Sequence, residues 1–281
     1  MTPREFKIMG VLNVTPDSFF DGDAYPDALS AAAHADGLVA AGAAIVDIGG
    51  ESTRPGAPPV GAEAEIERTE PVIQMVRRSQ PNLQISIDTM KLAVAEAAVR
   101  AGATYVNDVS AFTHDPELAG FVADAKTDCC LMHMQGEPRT MQNDPQYVNV
   151  VDDVCAYLES RMEFAVAEGV PEHRIQLDPG IGFGKTLQHN LELLSGLGKI
   201  VALGRPVVIG VSRKSFLSKI AQDSGTSGVE VADRLPGTIA ANVLALERGA
   251  SVFRVHDVAE AAQSLAVADA ITGVAEHTTA E

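Results

Sequence analysis

Short, mostly apolar runs alternate with longer stretches of helical period from one end of the chain to the other. The apolar runs predict strands at Lys7–Leu12, Ala44–Ile48, Gln84–Ile87, Thr104–Asn107, Asp128–Met132, Ile175–Leu177, Pro206–Ile209 and Ser251–Val255. Strands that are apolar on both faces belong to a parallel sheet covered by helices, since a strand with one wet face alternates. Successive starts lie 20 to 47 residues apart, room for a helix in every gap. Helical stretches fall at Asp27–Ala41, Glu63–Gln80, Met90–Ala101, Val148–Glu168, Leu235–Arg248 and Val258–Ile271. Gly102, Gly169 and Gly249 stop three of them. The junctions Gly42-Ala43, Gly102-Ala103 and Gly249-Ala250 are the turn chemistry of repeated βα units.

Eight such units in 281 residues predict one α/β domain over 1–281, a (β/α)8 TIM barrel, a fold of typically ~250 residues. The alternative is an open doubly wound sheet. No GxGxxG opens the first crossover and no shift of composition marks a second domain.

Charge narrows the range of partners. The chain carries 38 acidic and 21 basic residues, a net charge of −17, so it repels phosphate backbones and anionic lipid. That argues against nucleic acid and membrane and for a small molecule. The region before Asn13 is too short for the apolar core of a signal peptide, and the expected location is the cytoplasm. Cys129, Cys130 and Cys155 form no CxxC pair and read as reduced thiols.

In a barrel, chemistry sits where strands end and βα loops begin. The residues at and just past the predicted runs are Asn13; Asp47 and then Gly49–Gly56; Asp88; Asn107-Asp108; His133; Asp178; Ser212-Arg213-Lys214; and Arg254 with His256. Every strand delivers a polar group to one rim. Simple roles compete with this: Asp88 and Asn107-Asp108 could be helix caps, and His133 reads as a core histidine between Met132 and Met134. Lys185 in Gly180–Thr186 imitates a phosphate loop, but the glycine spacing is wrong for one. Arg54, Lys185, Arg213, Lys214 and Arg254 fall in or beside these rim segments, five of the 21 basic residues, and predict a local site for a polyanion.

A buried carboxylate accepts two N–H donors, and a buried amide offers donor and acceptor side by side. Asp88, Asn107 and Asp178, facing one another, would therefore suit the guanidine-like edge of a pterin or guanine. Asn13 offers a neutral oxygen to a cation that keeps most of its waters, as Mg²⁺ does. Thr15–Pro26 and Gly49–Gly61 are long enough to act as lids.

The segments Met9–Phe19, Gly49–Gly56, Ser86–Thr89, Asn107–Ser110, Leu177–Gly180, Ser212–Ser215 and Arg254–Asp257 resemble, in order, those of the dihydropteroate synthase family. The resemblance implies a TIM barrel and a transferase of folate biosynthesis, a target of sulfonamides. The reaction implied condenses 6-hydroxymethyl-7,8-dihydropterin diphosphate with 4-aminobenzoate to give 7,8-dihydropteroate and diphosphate. It further implies that Asp88, Asn107, Asp178 and Lys214 hold the pterin, Asn13 binds Mg²⁺, and Arg254 and His256 hold the diphosphate, with Val255 also among the substrate-binding residues. Thr53, Arg54 and Pro55 would close over 4-aminobenzoate beside Phe183 and Ser212. Catalysis would fall to Asp88, Lys214, Arg254 and His256. Phe20 and Asp23 stand where the family carries Ser and Gly. Pterin-dependent methyltransferases would share the acidic and amide contacts without needing the basic ones. A catalytically silent barrel that binds pterin or only serves as an assembly subunit is opposed by the intact polar complement at all eight strand ends. The Ala-rich stretches Ile239–Leu246 and Val258–Ile271 predict a homodimer.

Overall fold

The computed structural model describes residues 6–15, 24–52, 57–137, 139–226, 230 and 234–278. Strands and helices alternate as β1 (Lys7–Asn13), α1 (Ala24–Ala40), β2 (Ile45–Gly49), α2 (Ala62–Ser79), β3 (Gln84–Asp88), α3 (Leu92–Ala101), β4 (Tyr105–Asp108), α4 (Glu117–Ala125), β5 (Asp128–Met132) and α5 (Val150–Ala167). They continue as β6 (Ile175–Asp178), α6 (Leu187–Ser195), α7 (Leu197–Val201), β7 (Val208–Ile209), α8 (Ser215–Asp223), α9 (Leu235–Glu247), β8 (Val252–Val255) and α10 (Val258–Thr278). The eight strands are parallel and ordered β6-β5-β4-β3-β2-β1-β8-β7. Pairing of β1 with β8 (Met9 opposite Arg254) decides between the two architectures, because an open doubly wound sheet would not join its first strand to its last. A single bridge, Leu177 to Val207, closes the ring between β6 and β7.

The strand period separates two cores. Met9, Ile45, Tyr105, Cys130, Val208 and Val252 point inward and plug the barrel floor, and Tyr105 satisfies its hydroxyl on Gln176 Oε1 at 3.0 Å. Alternate residues such as Val46, Ile48, Ile85, Ile87, Val106 and Leu177 point outward beneath the helices. Each such buried aliphatic side chain contributes about 1.5–3 kcal/mol relative to exposure. Counting upward in steps of two from the floor carries Ile45 to Asp47, Tyr105 to Asn107, Gln176 to Asp178 and Val252 to Arg254. On these four strands the next inward layer above the plug is therefore polar.

Candidate active site

That polar layer is one connected network. Asp47 accepts the Ser86 hydroxyl at 2.6 Å and the Asn107 Nδ2–H at 3.0 Å. Arg254 donates from Nη1 to Asn107 Oδ1 at 3.4 Å and from Nη2 to Asp178 Oδ2 at 2.8 Å. Gly180 N–H closes the chain on Asp178 Oδ1 at 2.7 Å. Five strands thus contribute one residue each. Gly210, next after β7, contributes space: a Cβ there would stand 2.9 Å from Arg254 Nη2.

Burial drives the carboxyl of Asp47 up, against the pull of Arg254, Ser86 and Asn107. Asp88, one layer higher, is pushed well above the usual carboxylate range, by burial first and then by the Asp47 charge. It makes no hydrogen bond among the described residues. Burial works against the Arg254 cation too, but Asp178 and Asp47 outweigh it and hold the proton more firmly than usual. Asp88 is thus the carboxyl with a stake in a new cationic partner.

Above the network opens a cleft of about 900 Å³ at the C-terminal ends of the strands, lined by Asn13, Glu51, Asp88, Met141, Phe183, Ser212, Lys214, Arg254 and His256 among others. Ser212 Oγ lies 3.0 Å from His256 Nδ1, tying the β7 and β8 loops together. Lys214 bonds the Ile181 carbonyl and stands 4.6 Å over the Phe183 ring. Its ammonium is pushed down to about 7, by burial with Arg254 adding and Asp178 opposing.

The Phe183 loop has a packing explanation. Gly180 and Gly184 take φ of +66° and +61°, and a Cβ on either would collide with the carbonyl oxygen of His133 or Gln135 in the β5 loop. The glycines that imitate a phosphate loop are there for close packing. Lys185 turns inward beneath them, 2.9 Å from both the Phe183 carbonyl oxygen and His133 Nδ1. Burial pushes Lys185 to about 7, and burial with the Lys185 charge pushes His133 to about 3.

Several expectations change here. Lys185, Arg213, Lys214 and Arg254 all line the cleft, but Lys185 is buried and turned onto His133 and the Phe183 carbonyl, and Arg213 is committed to a bidentate pair with Asp257. Arg54 lies outside the described residues, as do Thr53, Pro55, Phe20 and Asp23. Val255 faces the outer core, since the strand period that turns Arg254 and His256 inward turns it away from the cleft. Asp88 caps nothing: Asp115 Oδ2 accepts the Leu92 N–H at the start of α3. Asp108 serves its own loop, accepting from Ser110 and Phe112. His133 is the core histidine the sequence suggests.

Sequence reasoning left three features out of the site. Asp47 was legible as an inward charge inside an apolar strand, where a helix-cap role is impossible. Gly210 carries no such signal. The third is Lys91, which bridges Glu51 and the buried Glu65 at 2.5 Å each while Glu51 also accepts the Val60 N–H at 3.0 Å. These residues are far apart in sequence and only the fold joins them.

Residues 9–256 match the model of the pterin binding enzyme family, and the chain belongs to that family. Within it, the chain is 44% identical over 268 residues to dihydropteroate synthase of Neisseria meningitidis serogroup C, covering 94% of this chain and 92% of that one. The structure superposes on that of Xanthomonas albilineans dihydropteroate synthase with 4-aminobenzoic acid at a TM-score of 0.87, with 40% identity over 95% of this chain and 93% of that one. The complex of the Xanthomonas albilineans enzyme with 7,8-dihydropteroate gives 0.84, with 38% identity over 97% and 95% of the two chains.

Proposed function

We propose that the chain joins 6-hydroxymethyl-7,8-dihydropterin diphosphate to 4-aminobenzoate, releasing 7,8-dihydropteroate and diphosphate. The observation that carries this reading is the buried network of Asn107, Asp178 and Arg254 directly beneath one cleft, which Asp88, Lys214, Arg254 and His256 line. The acceptors of Asn107 and Asp178 suit the aminopyrimidine edge of a pterin, and Lys214 lends a donor to a ring acceptor. The step that fits is dissociative. The C–O bond to diphosphate breaks with its electron pair leaving on oxygen, and the amine then attacks the pterin methylene cation and sheds a proton to solvent. Asp88, whose carboxyl makes no hydrogen bond among the described residues, supports that cation electrostatically as its carboxylate, the form that a neighbouring positive charge favours against the burial that raises it. Arg254 and His256 receive the departing charge, and Phe183 with Ser212 flanks the arylamine.

Mg²⁺ fits the rim as a cation held mainly by substrate oxygens and water. Asn13 presents a half-buried amide that makes no hydrogen bond among the described residues, and no cluster of three His, Cys, Asp or Glu side chains among them forms a complete metal cage. When bound, Mg²⁺ supplies charge neutralisation of the diphosphate.

No helix of the described residues is long and apolar enough to cross a membrane, in keeping with a cytoplasmic enzyme. A homodimer is supported by Leu244 of α9 and by Val267 and Ile271 of α10, which are 49%, 56% and 66% exposed on adjacent helices. Incubation with the dihydropterin diphosphate, 4-aminobenzoate and Mg²⁺ tests the reaction: diphosphate release should require the arylamine. Pterin binding without turnover would refute it.

A further inference from the structure

Asp47 is buried at the floor of the cleft, which it helps to line, lies two residues before the end of β2, and is given no ligand contact above. Both of its oxygens are engaged, Oδ1 by the Ser86 hydroxyl at 2.6 Å and Oδ2 by Asn107 Nδ2–H at 3.0 Å. An ionised carboxylate has only lone pairs to offer, so it can bind only the amino end of the Asn107 side chain. The amide oxygen is thereby turned outward, where Arg254 Nη1 finds it at 3.4 Å. The same guanidinium reaches Asp178 Oδ2 at 2.8 Å. Two acceptors, on β4 and β6, are therefore spanned by one planar group bearing several N–H donors. The arginine itself shows the donor pattern that these acceptors receive.

We propose that Asp47 is a positioning residue that sets ligand specificity: by holding the amino end of Asn107 it keeps an acceptor facing the place that the Arg254 guanidinium fills at the cleft floor, and so selects an amino-substituted pyrimidine edge over its oxo-substituted counterpart. The inference rests on the pterin reading and deepens it. An oxo group set against a fixed amide oxygen would bring two acceptors together with no proton between them. Amide oxygen and nitrogen differ little in shape, so the selection comes from the partner that fixes which is which. Ser86 occupies the second carboxylate oxygen and thereby limits its rotation.

Substituting Asp47→Asn tests this, because an amide at position 47 can present either end and Asn107 can then turn over without losing its bond. The ligands are 6-hydroxymethylpterin, with a 2-amino group, and 6-hydroxymethyllumazine, with a 2-oxo group, each titrated by calorimetry. The unsubstituted protein should prefer the pterin by at least about a hundredfold. In Asp47→Asn the preference should fall at least about tenfold, with pterin weakened and lumazine unchanged or tightened. The Michaelis constant for 4-aminobenzoate should stay within about twofold. Ser86→Ala, which keeps the fold by a smaller change, should lower the preference in the same direction by a few-fold. Equal weakening of both ligands, or an unchanged ratio in both variants, would overturn the assignment and leave Asp47 a counter-ion of Arg254. An unsubstituted protein that binds neither ligand, or shows no preference, would overturn the pterin reading and this inference with it.

Discussion

Arg254 Nη2 stands 2.8 Å from Asp178 Oδ2, an ion pair that joins the eighth strand to the sixth across the barrel mouth. β7 lies between them in the closed ring, and Gly210 just past its end yields the room the guanidinium needs. The pair is almost fully enclosed, at 12% and 1% side-chain exposure. Enclosed charges of this kind are costly to separate.

Asp178→Asn keeps the shape and the Gly180 N–H bond but sets an amide N–H against the Arg254 donor. Pterin affinity should fall by roughly 3–5 kcal/mol, on the order of a hundred- to a few-thousand-fold. Breaking a buried pair also costs about 3–5 kcal/mol of folding stability, so denaturant unfolding should register the change. Normal pterin affinity in a folded variant would make the residue purely structural.

Gly210→Ala places a methyl 2.9 Å from Arg254 Nη2 and 3.2 Å from Nε, so the side chain must shift. Overpacking of this size costs about 1–3 kcal/mol of stability and leaves the fold in place. Inhibition by product diphosphate should weaken on the order of tenfold, or ~1.4 kcal/mol, with little change toward 4-aminobenzoate. Unaltered diphosphate inhibition would show that Arg254 does not need its present position.

Lys185 titrates near 7 in the folded protein against about 10.4 in an unfolded chain. Above pH 7 the unfolded chain therefore holds a proton that the folded protein has released, and stability rises with pH, by up to about 1.4 kcal/mol per unit. Lys214 adds an increment of the same sign. Measurements belong below about pH 8.5, where unfolded thiols start to ionise and reverse the trend. The denaturation midpoint should rise between about pH 7 and 8.3, and Lys185→Met should lose about half of that rise. An undiminished rise would mean that Lys185 keeps its ordinary proton affinity.

Asn13→Ala should raise the Mg²⁺ concentration needed for half-maximal turnover by about tenfold, the loss of one ligand among several. EDTA should abolish turnover of the unsubstituted protein. Full activity in EDTA would remove the cation from the reaction.

Much of this was legible in the sequence because the barrel repeats one rule. The run Asp128–Met132 matches β5 at both ends, and Lys7, Gln84 and Ile175 begin their strands as expected. The ladders of β1, β3 and β6 extend one residue further, to Asn13, Asp88 and Asp178, because inward polar residues at the rim still pair through their backbone. An apolar run cannot show that. β7 shrinks to Val208–Ile209 because Val207 meets β6 only through one bridge. Helices Glu117–Ala125 and Ser215–Asp223 were not assigned individually, being short. Ligand candidates announced themselves as polar residues at strand ends. Of their supports only Asp47 stands out, as a charge inside a strand, since Gly210 and the Lys91 brace act through neighbours that only folding provides.

The lone cation of the buried layer arrives late in synthesis. Asp47 and Asp178 emerge from the ribosome long before residue 254, on strands already able to pair with their neighbours β3 and β5. Until β8 docks, those carboxylates have no guanidinium to meet, and the β1 edge that β8 will cover stands unpaired. A nascent barrel one strand short is thus held back by its own repulsion as well as by an open edge. Docking β8 removes both obstacles at once, so the chain completes its ring and arms its site in a single event.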